Sequence, residues 1–267
     1  MNNISDKKKE KLSYFGFSFK KGGVHSSRTM MLNELEILLS YVNNPEAIRE
    51  TYVHAIINEN CLGKRSEKTR YLTYKHLIEL YSLDPAILIY RAMLYFWNRD
   101  EESRPLLALL CAFSRDTILR SSASFILKYE EDEIVRREDL EKFIDEQEPG
   151  RFSKATLTST AQNINSTWTK SGHLEGRVKK IRRQVNPEPG SIAFALLLGY
   201  LIGLRGELLF ESDFIKAFDC SAEKAKEIAS DASRKGWIVF KRIGDVIEVL
   251  FPNLITEKEM ELVREQN

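Results

Sequence analysis

A run of 13 apolar residues, Ile192 to Leu204, constrains the fold more than any other feature, because the protein must bury it. As a helix it reaches about 20 Å, which is short of the roughly 30 Å hydrocarbon core of a bilayer. The run therefore predicts a buried helix in a soluble protein and no membrane partner. The chain has 267 residues, 43% of them hydrophobic, which suffices for two domains with ordinary cores.

Side chains that support catalysis or metal binding are few and scattered. The three cysteines form no CxxC pair, so neither a disulfide framework nor a zinc ribbon is expected. The basic N-terminal stretch has no apolar run behind it, which predicts a cytoplasmic protein without a signal peptide. The four histidines are far apart, and the phosphate-loop, dinucleotide, metalloprotease and serine-hydrolase motifs are missing. We therefore expect no enzymatic activity, no cofactor and no metal.

Residues 25–127 show apolar side chains at spacings of three and four, which predicts a helical bundle. No segment in this range alternates as a half-buried strand does. Signals that begin or end helices recur along it, at Ser26-Ser27, Asn43-Asn44-Pro45, Gly63, Ser66, Asp84-Pro85, Pro105 and Asp116. Residues 1–24 form a basic arm, which is either a flexible tail or a source of sequence-independent affinity for nucleic acid.

Residues 128–188 show a different pattern, typical of a winged helix-turn-helix unit. A helix beginning near Arg137 is followed by a turn and by a second helix that Ser153 caps and Gly172 ends. A basic stretch, RVKKIRRQV, comes next and stands where the wing of such a unit would be. This order predicts a DNA-binding unit whose second helix enters the major groove.

Residues 189–256 repeat the pattern. A helix capped by Ser221 is followed by Gly236 and by two strands around a turn at Gly244-Asp245. Its helix mixes acidic with basic residues, so docking to a protein is favoured over contact with DNA. The predicted fold is mainly α, a helical bundle followed by winged helix-turn-helix units with short β-hairpin wings, and residues 257–267 form a C-terminal tail.

The first winged unit carries the candidate DNA site. Polar side chains on one face of its second helix are suited to base edges, since Asn and Gln pair bidentately with adenine. These residues are Lys154, Thr158, Gln162 and Asn163. Five positive charges within seven positions of the basic stretch are suited to phosphates. These residues are Arg177, Lys179, Lys180, Arg182 and Arg183.

Charge along the chain is segregated, although the formal net charge is only +1. Residues 151–190 hold eight basic and two acidic side chains, whereas residues 128–148 hold four basic and ten acidic ones. A second basic cluster lies at a predicted helix N-terminus in the bundle, where backbone N–H groups favour a phosphate. Its members are Lys64, Arg65, Lys68 and Arg70. An ordinary solvated loop explains the same residues, and both interpretations stay open.

Three segments of the sequence resemble the BrxA family of bacteriophage-exclusion (BREX) defence systems. They are FGFSFKKGGVHSSRTMMLNELEILLSYV, INENCLGKRSEKTRYLTYKHLIELYSLD and STWTKSGHLEG. The resemblance implies a helical bundle like that of the antitermination factor NusB, joined to winged-helix elements. It also implies double-stranded DNA binding beside the methyltransferase, ATPase and phosphatase-like components of such systems.

The leading hypothesis is a non-enzymatic, largely phosphate-driven DNA-binding accessory protein of phage defence. One alternative is an RNA-binding, antitermination-like module, which the bundle and the 64–70 cluster suggest. Another is a scaffold that docks other BREX proteins, with the charges serving solubility.

The wing hypothesis predicts the effect of reversing charge at Arg182 and Arg183. The double substitution to Glu should lower affinity about equally for all DNA sequences. It should also flatten the dependence of log affinity on log salt by about 0.9 for each phosphate group that the protein no longer neutralises. Anisotropy titrations over a salt series measure both effects. An unchanged salt slope in a folded variant would show that the wing does not contact DNA phosphates.

Overall fold

The computed structural model describes residues 5–44, 46–244 and 246–264. It is mainly helical, with small antiparallel sheets of two and three strands. The chain forms two compact units. The terminal unit contains the residues up to Phe17, Ile87–Leu110 and the residues from Val185 onward. The central unit contains Ser18–Ala86 and Cys111–Gln184.

The helices of the described residues are α1 Asp6–Phe15, α2 Leu32–Val42, α3 Arg49–Ile57, α4 Glu67–Tyr81, α5 Leu88–Trp97, α6 Arg104–Arg115, α7 Thr117–Ile126, α8 Arg137–Gln147, α9 Lys154–Lys170, α10 Pro189–Leu201, α11 Asp213–Lys216, α12 Ala222–Arg234 and α13 Glu257–Arg264. The strands are β1 Ile134–Val135, β2 Leu174–Glu175, β3 Lys180–Arg182, β4 Val239–Ile243 and β5 Val246–Leu250. Single 3-10 turns occur at Val24–Ser26 and Gly206–Leu209.

Three helix starts in the central unit follow predicted capping residues, whereas α2 begins at Leu32, several residues after the predicted signal at Ser26-Ser27. Ser66, Asp116 and Ser153 are the N-caps of α4, α7 and α9, and each side-chain oxygen accepts a backbone N–H of the first turn. On α9 the apolar stripe of Ala161, Ile164 and Trp168 is fully buried. The predicted helices of this unit are confirmed. One face of α9 packs into the hydrophobic core.

A three-stranded antiparallel sheet completes the central unit, in the order β1-β3-β2. Leu174 pairs with Arg182 and Glu175 with Ile181, which makes β2 and β3 a hairpin. On the other side of β3, Ile134 pairs with Ile181. Strand β1 is only two residues long and shows no alternating pattern, so it could not be predicted from the sequence.

A buried hydrogen-bond network holds the extended segment before α2 against two helices of the central unit. The ring of His25 lies 2.8 Å from Asp116 Oδ2 through Nδ1 and 2.8 Å from Thr167 Oγ1 through Nε2. Thr167 Oγ1 also accepts the N–H of Met30 at 2.9 Å. All three polar side chains are at most 2% exposed. The network therefore joins residues more than 90 positions apart.

Asp116 is the centre of this network. Its carboxylate accepts the backbone N–H groups of His25, Ile118 and Leu119 in addition to the His25 ring. Burial alone raises the pKa of the Asp116 carboxyl group, but the His25 ring and these N–H donors outweigh it, so the pKa is lowered. Gly23 is required here for space, because a Cβ atom at this position would lie 2.1 Å from Asp116 Oδ1.

In the terminal unit the apolar run forms α10, and every residue from Gly190 to Leu201 in it is buried. The predicted core helix is thus confirmed, although the helix ends at Leu201 and the last three residues of the run lie beyond it, with Gly203 at φ +100°. The N-terminus of α10 is fixed by Asp100, whose carboxylate accepts the N–H of Gly190 at 2.7 Å. Among the described residues, no helix combines the length and the apolarity needed to cross a bilayer.

Two segments at the ends of the chain differ from the sequence-based expectation. The basic arm contains α1, whose Leu12 and Phe15 are fully buried, so this part of the arm is not a flexible tail. The predicted C-terminal tail contains α13, where Glu259 accepts hydrogen bonds from Arg91 at 2.7 and 2.8 Å. In both cases side chains that are buried in the folded protein hold the helix in place.

The second hairpin of the sequence analysis forms as β4 and β5, with Ile243 paired to Val246. Asp245 of its predicted turn and Pro45 of the predicted helix end lie outside the described residues. The two units interleave along the chain, whereas the predicted domains were consecutive segments. Residues 128–184 belong to the same unit as the helices of residues 18–86.

The Asp116 network predicts an acid-dependent loss of stability. Asp116→Asn should lower the free energy of unfolding at neutral pH by about 2–3 kcal/mol, because an amide cannot accept all four donors. Since the lowered pKa favours the ionised folded state, this stabilisation is present above about pH 4 and is lost as the pH falls through the folded-state pKa. Denaturant titrations at several pH values measure the free energy of unfolding. The difference between Asp116→Asn and the wild type should become smaller below about pH 4.

The control for this prediction is Glu131→Gln, which neutralises an exposed carboxylate of the same unit. It should unfold as the wild type does. Wild-type stability in the Asp116 variant at neutral pH would contradict the role assigned to the network.

Candidate nucleic-acid interface

A cleft of about 900 Å³ lies in the central unit between the C-terminal half of α9, the start of α8 and the β2–β3 hairpin. From α9 it receives Gln162, Asn165, Ser166, Thr169 and Lys170. These side chains follow helical spacing along a face of α9 that borders its buried stripe. The cleft therefore forms because one face of α9 packs into the core, while the β2–β3 hairpin lies beside a neighbouring face of the same helix.

The cleft is strongly cationic. Its basic lining residues are Arg136, Arg137, Lys170, Arg177, Lys179 and Lys180. Its one acidic lining residue, Glu138, is paired with Arg137 at 2.7 Å, and Arg137 also contacts Glu141 at 2.9 Å. The other five cations form no ion pair within the part of the chain that the structure describes. Positive charge without carboxylate partners is suited to phosphate groups.

Lys180 is the most constrained of these cations. Its Nζ donates to Thr169 Oγ1 at 2.9 Å and to the Gly176 carbonyl at 2.6 Å, and both acceptors are neutral. Thr169 in turn donates its hydroxyl to the Asn165 carbonyl at 2.7 Å, which fixes its lone pairs toward Lys180. Partial burial lowers the pKa of the Lys180 amine. A half-buried amine without a counter-ion is a preorganised anion contact.

The tip of the hairpin depends on Gly176. Its φ of +94° is in the left-handed region, and a Cβ atom there would lie 2.2 Å from the Lys179 carbonyl oxygen. The tight turn holds Arg177, Val178 and Lys179 at the rim of the cleft, where all three are exposed. Val178 is 94% exposed, so its apolar side chain has no role in packing.

The structure brings four of the residues predicted to bind DNA into this cleft, namely Gln162, Arg177, Lys179 and Lys180. Lys154 and Thr158 lie on α9 nearer its N-terminus, outside the cleft lining. Asn163 donates its side-chain amide to the His25 carbonyl at 3.1 Å. Its polar group therefore holds the 3-10 turn in place and does not face a base.

The expected position of Arg182 requires correction. Its side chain is 2% exposed and donates to the carbonyl oxygens of His173 and Arg183, because strand β3 turns this position toward the interior. Arg183 is paired with Asp132 and with Glu175, and these hydrogen bonds raise its pKa. Charge reversal at Arg182 would therefore disrupt the fold instead of testing a phosphate contact.

The 64–70 cluster is largely occupied by contacts within the protein. Lys64 pairs with Glu34 at 3.2 Å, and Arg70 donates to the Ile57 carbonyl at 2.8 Å. The Ser66 hydroxyl accepts the N–H of Thr69 at 3.2 Å, so one donor of the helix N-terminus is already used. Arg65 and Lys68 are exposed, and neither side chain forms an ion pair or a hydrogen bond among the described residues.

Several residues of the cleft were not predicted from the sequence, and Arg136, Lys170 and Asn165 are the most informative of them. Arg136 precedes α8 within residues 128–148, where the excess of acidic side chains makes the segment negative overall and gave no reason to predict a phosphate contact. Lys170 ends α9, and Asn165 lies next to the apolar stripe, where its spacing predicts burial. The signal available was the Arg136-Arg137 pair at the start of a helix, but only the fold shows that this pair lines the cleft beside the hairpin.

The corresponding helix of the terminal unit, α12, is electrostatically neutralised. Lys226 is 5% exposed and bonded to Glu207 and Glu223, whose hydrogen bonds raise its pKa. Arg242 of the hairpin also contacts Glu223, at 3.1 Å. The mixed charges seen in the sequence thus form ion pairs with one another, in contrast to the cations beside α9.

No protein-family model and no curated protein matches this sequence. What the chain binds is consequently inferred from the chemistry of the cleft and from its position between α9 and the hairpin.

The geometry of the hairpin predicts that Gly176→Ala destabilises the protein. The added methyl group meets the Lys179 carbonyl and the backbone is strained at positive φ, so we expect a loss of about 2–3 kcal/mol. Gly150→Ala is the matched control, since Gly150 has φ +71° with nothing within 4 Å of its Cβ position. That control should lose only about 1 kcal/mol. Equal losses in urea titrations would contradict the steric argument.

Proposed function

We propose that this protein binds double-stranded DNA through the cationic cleft of its central unit and performs no chemistry on it. The observation that carries the proposal is the group of five cations without carboxylate partners among the described residues. They converge on the cleft from the N-cap of α8, from α9 and from the hairpin. Phosphate contacts of this kind supply most sequence-independent affinity and make binding strongly dependent on salt.

The connectivity of the central unit supports a winged-helix interpretation. Helix α7 is followed by β1, α8, α9, β2 and β3, and the sheet order is β1-β3-β2. In this interpretation α9 is the recognition helix, the β2–β3 hairpin is the wing, and Gln162 is the polar side chain placed for a base edge. Docking of such a helix in the major groove leaves the wing beside the neighbouring phosphates.

The resemblance to the BrxA family extends the proposal to a role in phage defence. A non-enzymatic DNA-binding accessory of a BREX-type system needs a surface that holds duplex DNA without a preferred sequence, and an exposed cationic cleft provides one. The NusB-like description of the helical bundle at residues 25–127 is part of the same proposal.

The terminal unit favours a second role, docking of a partner protein. Its hairpin exposes apolar side chains on both sides of the turn, with Ile243 80% and Val246 72% exposed. Because the cations of α12 and of this hairpin pair with carboxylates, this surface is poorly suited to phosphates. Other defence proteins are the partners that this interpretation proposes.

A salt series of fluorescence-anisotropy titrations separates the proposed ligands. The intact chain is titrated with a blunt duplex DNA, a single strand and an RNA hairpin at several salt concentrations. Tightest binding to the duplex with a steep salt slope supports the proposal. Preference for the RNA hairpin supports the RNA alternative instead, and negligible binding to all three near physiological salt leaves protein docking as the function.

Charge reversal at the hairpin tip gives the sharpest prediction. Arg177→Glu with Lys179→Glu should weaken duplex binding at least about tenfold, because both side chains are exposed and form no ion pair within the described residues. The salt slope should fall by about 1.8, which is about 0.9 for each of two phosphate contacts. Anisotropy titrations measure both quantities.

The matched control reverses two other exposed lysines of the central unit, Lys75 on α4 and Lys142 on α8. It changes the net charge by the same amount but leaves the cleft intact, so the slope should stay close to that of the wild type. A slope that changes equally in both double variants would indicate a general charge effect and would reject the cleft.

A further inference from the structure

The β4–β5 hairpin of the terminal unit has two apolar faces, and only one of them is buried. In an antiparallel hairpin, two residues paired across the strands point to the same face, and successive pairs alternate between the faces. One face carries Ile247 and Val249, which are at most 8% exposed. The opposite face, which we call the outer face, carries Ile243 and Val246, which are 80% and 72% exposed.

The outer face is an array of three cross-strand pairs. From the turn outward, the pairs are Ile243 with Val246, Lys241 with Glu248, and Val239 with Leu250. The middle pair joins opposite charges, with Lys241 Nζ 3.6 Å from Glu248 Oε2. Leu250 is 37% exposed. The outer face therefore has an apolar pair at each end, one cation and one anion at its centre, and no net charge.

The edges of the hairpin are partly used by contacts within the protein. On β4, the N–H of Phe240 donates to Ser233 Oγ of α12 at 3.1 Å. On β5, the 3-10 turn lies close by, since a Cβ atom at Gly206 would lie 3.8 Å from the Ile247 carbonyl oxygen. A partner strand added at either edge would compete with these neighbours. The outer face is consequently better suited to a partner than the edges are.

The charge pattern of the outer face limits the partners that can cover it. A polyanion is repelled by Glu248, and a polycation is repelled by Lys241. A complementary partner places an anion over Lys241, a cation over Glu248 and apolar side chains on both sides of them. A second copy of the outer face carries these groups at the same spacing.

A two-fold axis parallel to the strands brings two outer faces together in register. Rotation about this axis lays β4 of one copy over β5 of the other and keeps each pair at the same distance from the turn. Lys241 of each copy then faces Glu248 of the other copy, and Ile243 faces Val246. A two-fold axis across the strands would instead place Lys241 over Lys241. The charges therefore select the first arrangement, which is the aligned packing of two sheets.

We propose that the outer face of the β4–β5 hairpin binds the same face of a second copy of this chain, forming a two-fold symmetric dimer. The inference rests on the docking role proposed above for this hairpin, and it specifies the partner. Two ion pairs between Lys241 and Glu248 of different copies lie at the centre, with apolar contacts on both sides. Because six side chains from each copy form a small interface, the dimer should dissociate on dilution.

Sedimentation equilibrium of the intact chain over a range of concentrations tests the dimer. The wild type should change from monomer toward dimer as the concentration rises. Lys241→Glu brings four carboxylates together at the centre, and Glu248→Lys brings four amines together. Each variant alone should therefore associate at least about tenfold more weakly than the wild type. An equal mixture of the two variants should recover association, because each supplies the charges opposite to those of the other.

The matched control is Lys258→Glu, which reverses an exposed lysine of α13 in the same unit and should associate as the wild type does. A wild type that stays monomeric up to its solubility limit would overturn the proposal. Dimers that persist in both charge-reversal variants would also overturn it, since they would use another surface. The mixture guards against misfolding, because misfolded variants would not regain association when combined.

Photocrosslinking in cells distinguishes this inference from the docking role on which it rests. The photoreactive residue p-benzoylphenylalanine replaces Val246 in the intact chain, and the products are identified by mass spectrometry. A product of twice the mass of the chain that contains only its own peptides supports the second copy. A product with a different protein overturns the second copy but leaves the docking role standing. The absence of any product rejects both.

Discussion

The buried contact of Asp116 with His25 is the interaction on which the central unit depends. It fixes the segment before α2 to the start of α7, and the His25 ring continues the chain of hydrogen bonds to Thr167 on α9. Since α9 supplies one wall of the cleft, its rotation about its own axis decides which polar side chains face the ligand. The network and the buried Trp168 together set that rotation.

The cleft shows how a fold can concentrate charge that the sequence disperses. Arg136 comes from an acidic stretch and Lys170 from the end of a mostly neutral helix, yet both lie beside the hairpin tip. In the same unit, ion pairs and burial remove Arg183 and Arg182 from the surface available to phosphates. The positive charge of the cleft therefore depends on which basic side chains have no carboxylate partner. The total number of basic residues in the stretch does not determine it.

Local signals predicted most helices because their causes are local. Ser66, Ser153 and Ser221 cap helices through hydrogen bonds to residues three positions away, and such bonds need no tertiary context. Strand β1 was missed since two residues have too little pattern to be recognised. The roles of Asn163 and Asn165 were also beyond local signals, because one bonds to His25 across the unit and the other faces the cleft.

The sequence by itself determined the mainly helical class, the buried helix within the apolar run at 192–204, the capped helix at 154–170 and the basic hairpin that follows it. Each of these depends on spacing, capping and turn chemistry within a few neighbouring residues. Only the tertiary structure decided which cations keep no carboxylate partner, that Arg182 is internal and that Asn165, although nearly buried, lines the cleft. Those outcomes depend on contacts between residues far apart along the chain, which no local pattern encodes.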